Sequence, residues 1–224
     1  MQTQDAPAEI IFKLWPWLEA NQKRLIGVAV AIGVAATIYY FVTEQHAQKE
    51  VEAGQALTLL LMTPPANAGP APLANAFAQF ASKYSGTVAA ERARLQAATT
   101  LYAAGSYDQA QAQFEMLLSS QSSGALAGVA NLGLAASLEA QGKLDAAAQD
   151  YRKIMAAFAD STVAITAKFS LARTLELQGK LNDALNYYSD VTRAPMAGSL
   201  GSEAAMHAAE IKSRLAAAAK PATP

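Results

Sequence analysis

The stretch QGKLDAA, Gln141 to Ala147, has close copies on both sides: AGSYDQA from Ala104 to Ala110, and QGKLNDA from Gln178 to Ala184. The spacing is constant, with 37 residues from Gly105 to Gly142 and 37 again from Gly142 to Gly179. Stacked helical hairpins use a unit of this size, in which each pair is too small to bury its own apolar face and is completed by its neighbours. Laid on itself at the same period, the chain superposes Phe77, Phe114, Tyr151 and Tyr188, and then Phe80, Leu117, Ile154 and Val191. The register therefore starts before Gly105.

The same alignment superposes Ala93, Ala130 and Ala167; Leu95, Leu132 and Phe169; Ala98, Ala135 and Ala172; Leu101, Leu138 and Leu175; and Ala110, Ala147 and Ala184. Each unit reads as two amphipathic helices. The first carries apolar or small residues three or four apart, the glycine closes it in a left-handed cap, and the second places Ala early with an aromatic four residues later. Three complete pairs are expected, over residues 87–120, 124–158 and 161–193. A degenerate pair precedes them, made of a helix before Thr63 and residues 73–84. The prolines Pro64, Pro65, Pro70 and Pro72 form a loop within it. Residues 200–218 form a lone last helix whose Ala204, Met206 and Ala209 take first-helix positions, with Glu203, Glu210, Lys212 and Arg214 on its polar face.

Composition agrees with an all-α chain. Of 224 residues, 52% are apolar, many of them alanine, the strongest helix former. Seventeen Lys and Arg balance eighteen Asp and Glu, without a basic block, which argues against nucleic acid as a partner. Cysteine is absent, so disulfides, thiolate metal sites and a cysteine nucleophile are excluded.

Near the start, Trp15 and Trp17 flank Pro16 in LWPWLE, side chains suited to a membrane interface. Lys23 and Arg24 follow, and residues 25–42 carry no charge at all. As a helix, these eighteen residues extend for about 27 Å at 1.5 Å per residue, close to the hydrocarbon thickness. A transmembrane helix is expected over 25–43, anchored at its far end by Tyr39 and Tyr40. The bulky Tyr39, Tyr40 and Phe41 stand where signal peptidase needs small residues, and this argues against a cleaved signal. Lys13, Lys23 and Arg24 before the span, against Lys49 after it, place residues 1–24 in the cytoplasm and the repeat domain, 44–218, outside. Residues 219–224 read as a disordered tail. Gly27, Ala31 and Ala35, at i, i+4 and i+8, form a small-residue stripe along which a second membrane helix or another copy of the chain can approach.

No residue set carries recognisable chemistry. His46 and His207 lack ligand-spaced partners, and no nucleophile elbow or phosphate loop occurs, so neither an enzyme nor a cofactor is expected. The interaction surface is expected on the concave face of the stack, from Arg92, Leu95, Thr99, Leu132, Ala136, Phe169, Arg173 and Glu176, with Leu95, Leu132 and Phe169 either core or groove for apolar segments. Glu139 reads as part of a solvated polar face.

The order of apolar residue, small residue, apolar residue, Gly turn, Ala and aromatic resembles the tetratricopeptide repeat over residues 73–214. It departs from that consensus in its period of 37, in Ala98, Ala135 and Ala172 where Gly is usual, and in lacking an early Trp. The fold this implies is an α-solenoid of helix pairs behind one membrane helix. The layout also resembles the bacterial inner-membrane tetratricopeptide-like family that includes the ancillary subunit of the SecYEG translocon. That resemblance implies protein partners: translocon subunits, periplasmic chaperones or emerging polypeptides. A scaffold for another envelope assembly, in cell-wall synthesis or outer-membrane assembly, fits the same layout.

Overall fold

The computed structural model describes residues 6–63, 69–120, 124 and 126–218, the side chains of 6–16 and 18 excepted. The expected loop prolines Pro64 and Pro65, the Trp15 side chain and the tail at 219–224 lie outside the described residues. Every regular element among the described residues is helical. The chain divides into two compact units, Met1–Glu52 and Ala53–Pro224.

The first unit consists of most of one helix, α1 (Ala6–Met62). Between Glu19 and Met62 lies the one helix among the described residues long and apolar enough to cross a membrane, and none of its most apolar window is buried against protein. Ile26, Val30, Val34 and Ile38 are more than half exposed, as are Tyr39, Tyr40 and Phe41. A helix that is apolar on all sides and packed on nothing is the opposite of a core helix, whose apolar stripe is covered.

In the second unit the last residues of α1 are followed by α2 (Pro70–Lys83), α3 (Val88–Ala103), α4 (Tyr107–Ser119), α5 (Ala127–Ala140), α6 (Leu144–Ala157), α7 (Thr162–Leu177), α8 (Leu181–Arg193) and α9 (Ser199–Ala218). From α2 onward each helix packs on the next, and first helices of successive pairs also touch, α3 on α5, α5 on α7 and α7 on α9. The pair α3/α4, the pair α5/α6 and the pair α7/α8 are the three repeats. Helices α4, α6 and α8 begin at Tyr107, Leu144 and Leu181, one period apart.

The glycine turns follow from backbone geometry. Gly105, Gly142 and Gly179 all have φ of +74° to +77°, the left-handed region that costs an L-residue about 1–2 kcal/mol. At each turn the same two bonds close the helix: around Gly142, its N–H donates to the Glu139 carbonyl at 2.9 Å and the Lys143 N–H donates to that of Leu138 at 2.9 Å. At the helix starts the register varies. Thr87 and Ser161 cap α3 and α7, their hydroxyls accepting from the N–H of Ala90 and Ala164. Gly124 stands at the equivalent place before α5 and offers no oxygen, and α5 begins only at Ala127, without a side-chain cap.

Small residues hold the pairs together. Ala93, Ala130 and Ala167 in the first helices and Ala110, Ala147 and Ala184 in the second are wholly buried, as are the aromatics Tyr151 and Tyr188, with Phe114 nearly so. The degenerate first pair contributes less, since among the described side chains of α1 only Ala53 and Leu57 are buried, in a cluster with Phe77, Phe80 and Tyr84. Pro70 and Pro72 differ from their expected loop role: they sit in the first turn of α2, where a missing N–H breaks no helical bond.

In the last helix the register holds, but its burial differs from that of the other first helices. Ala204 is buried as expected, but Met206 is 67% exposed and Ala209 is exposed, while Ala208 and Ile211 are buried. Positions 206 and 209 correspond to Phe169 and Ala172, and Phe169 meets Tyr188 of its own second helix edge to face at 5.5 Å. After α9 no second helix follows among the described residues, so only the side turned towards α7 and α8 is covered.

Candidate interaction surface

The concave side of the stack is lined by first helices, and its polar framework repeats with the period. Glu139 ends α5 and Glu176 ends α7, one period apart. The Tyr151 hydroxyl donates to Glu139 at 3.0 Å, and the Tyr188 hydroxyl donates to Glu176 at 3.2 Å. Each carboxylate also ties the next repeat. Arg173 Nε donates to Glu139 at 2.9 Å and the Thr174 hydroxyl does so at 3.2 Å, while Arg214 donates to Glu176 at 3.0 Å. In the first repeat the corresponding pair is Tyr102 and Phe114: where the acid is missing, the ring carries no hydroxyl.

Glu139 is therefore not on a solvated face. Its side chain is 8% exposed and accepts from three groups on α6 and α7. The missed signal was the recurrent spacing of 12 residues from Glu139 to Tyr151 and from Glu176 to Tyr188. Burial and the neighbouring Glu139 push the Tyr151 hydroxyl well above its usual range, and burial with Glu176 does the same at Tyr188. For Arg173, burial pulls downward, but the hydrogen bond and charge of Glu139 outweigh it and the guanidinium is held above its ordinary value.

A second recurrent contact shapes the surface. Gly133, Ser170 and His207 are one period apart, and each meets the aromatic of the preceding second helix. His207 stacks on Tyr188, with ring centroids 4.9 Å apart and planes within 6°. Ser170 lies beside Tyr151, and both line the same cavity. At Gly133 the ring of Phe114 comes so close that an added Cβ would lie 2.2 Å from it. His207 thus belongs to the α8–α9 joint, where its Nδ1 lies 3.4 Å from Glu176 without a hydrogen bond.

Beside Gly133 opens an apolar cavity of about 250 Å³, walled by α3, α4, α5, α6 and α7. Thr99, Leu132 and Ala136, three of the expected surface residues, line it, together with Val129, Tyr102 and Thr166. Leu95 is half-buried against the cluster that holds Ala98, Leu101 and Phe114, and Phe169 is core, 5% exposed. Arg92 is exposed on α3. Arg173 and Glu176 lie in the framework just described, each engaged by side chains of neighbouring helices. Gly27, Ala31 and Ala35 are exposed along α1. Among the described residues no group of three or more His, Cys, Asp or Glu is placed to hold a metal ion.

A stack of helix pairs joined by recurrent glycine turns, in which successive first helices touch, defines a helical-repeat interaction protein. The chain belongs to the tetratricopeptide repeat-like domain family, whose model matches residues 15–151, more than half of its length. The match takes in the apolar helix, the first repeat and the second as far as Tyr151. No curated protein matches the chain.

Proposed function

We propose that this protein is a membrane-anchored interaction scaffold beside a secretion channel, whose repeat domain receives apolar segments of partner polypeptides on the outer side of the membrane. The observation that carries the reading is the joining, in one chain of this family, of a fully exposed apolar helix to a stack whose inner face opens an apolar cavity. Repeat stacks of this kind serve as binding platforms rather than catalysts, because their surface is built from repeated packing positions and not from one strained constellation. The charge asymmetry of Lys13, Lys23 and Arg24 against Lys49 supports a cytoplasmic amino terminus in an inner membrane.

The anchor and the stack have separable tasks in this reading. Helices in lipid gain little from apolar burial and associate by close backbone approach, so the Gly27, Ala31 and Ala35 stripe docks the channel, while chaperones and emerging chains meet the repeats. Photo-crosslinkers at Ala31 and Ala35 should capture a channel subunit, and those at Val30 and Val34 mainly lipid. Copurification from mild detergent followed by mass spectrometry should recover channel subunits and chaperones, and deleting the repeats should remove only the chaperones. Crosslinks solely to a second copy would replace the channel assignment with a dimeric scaffold. A cysteine at Ser199 should react with an impermeant thiol reagent from outside, and one at Thr3 should not; the reverse pattern would invert the orientation.

A further inference from the structure

We infer that the cavity beside Gly133 is a specificity pocket for one large apolar side chain of an extended peptide whose flanking residues are acidic towards α3 and basic towards α9; this rests on the scaffold reading. The cavity lies at a repeat position that differs from its later copies. Where those carry Ser170 and His207, Gly133 has no side chain, and the Phe114 ring packs into that space and lines the cavity. At about 250 Å³ it is smaller than the roughly 300–1,000 Å³ of small-molecule sites, a size for a single side chain rather than a cofactor.

The wall selects apolar chemistry. Thr99 and Thr166 donate their hydroxyls to carbonyls of their own helices, Leu95 and Gln96 for the first and Thr162 for the second. Tyr151 donates to Glu139. A polar side chain entering there would lose water without gaining these donors, whereas an apolar one loses nothing.

Charge then orients the peptide. In the register of the repeat, Arg92 on α3 and Glu203 on α9 occupy the place that Val129 and Thr166 hold in the cavity wall, and Glu210 occupies that of Ala136. Glu203 lies close enough to Tyr188 to act on it electrostatically. Arg173 and Arg214 are neutralised by Glu139 and Glu176, but Arg92, Glu203 and Glu210 enter no ion pair among the described residues. By this register the inner face is basic at one end and acidic at the other, with the apolar pocket one repeat from the first and two from the second. Packed helices lie about 8–10 Å apart, and an extended chain advances about 3.3 Å per residue. The acid belongs about three residues from the apolar anchor, and the base about six residues away on its other side.

The test uses the full-length protein in detergent micelles and fluorescent twelve-residue peptides, Ser- and Gly-rich, made in both chain orders. One carries Phe with Asp three residues away and Lys six residues away on the other side; in the controls Phe becomes Ala, or Asp and Lys are exchanged. The Phe peptide should bind at least tenfold more tightly than the Ala peptide, and the exchanged charges should weaken binding severalfold. Ala136→Phe, which fills the cavity from its rim, should abolish the preference for Phe with the melting temperature kept; Arg92→Glu should prefer the exchanged peptide. Equal binding of Phe and Ala peptides, or an unchanged preference in Ala136→Phe, overturns the inference. Partners that still copurify with Ala136→Phe would sink the pocket and leave the scaffold standing, and peptide binding without any copurifying partner would do the opposite.

Discussion

The Tyr151 hydroxyl and the Glu139 carboxylate, on consecutive helices of one repeat, are 3.0 Å apart, and the same oxygen of Glu139 accepts from Thr174 in the next. This carboxylate joins three helices. Glu139→Ala leaves the buried Tyr151 hydroxyl without an acceptor and should cost about 1–3 kcal/mol, against about 0.5–1.5 for Tyr151→Phe. Thermal melts of both single variants and the double variant check it: if the double costs no less than the sum of the singles, the two residues are not coupled.

Alkaline pH should weaken the stack from about pH 10 upward. The unfolded tyrosines lose their protons near 10, whereas Tyr151 and Tyr188, raised by burial and by Glu139 and Glu176, still hold theirs in the folded chain. Between those values the folded state binds more protons, so stability is fully present below about pH 10 and is lost as pH rises towards the folded pKa. The Tyr151→Phe, Tyr188→Phe variant should melt with a shallower slope between pH 9 and 11. An unchanged slope would mean that these hydroxyls do not carry the effect.

Gly133→Ala forces a methyl into the Phe114 ring and should cost about 1–3 kcal/mol. Phe114→Leu in the same background should recover part of that loss, because the shorter side chain makes room. Additive losses in denaturant titrations would show that the two positions do not meet.

Gly142→Ala has space around it but the wrong backbone, with φ at +77°, and should lose about 1–2 kcal/mol. Ala147→Leu has a permissive backbone and no space, being wholly buried between helices, and should lose about 1–3 kcal/mol. Calorimetry of Gly142→Asn separates the causes. Asn tolerates the left-handed region better than Ala, so it should lose less, and an equal loss would point to packing at this turn instead.

The solenoid was legible because its determinants are local and recur. A glycine needed for a positive φ, an alanine needed for a close approach and an aromatic four residues on leave the same trace every 37 residues, and a run without charges is readable one residue at a time. What depends on the neighbour in space left no such trace. Glu139 and Arg173 look like any solvated helix face until α5, α6 and α7 are brought together, and Met206 looks like core until the structure leaves it exposed on α9. Gly133 was one glycine among thirteen in the sequence; only the ring of Phe114 against its Cα makes it the floor plan of a pocket. Burial and hydrogen-bond partnership belong to pairs of residues on different helices, and a single chain read along its length records each member without the contact.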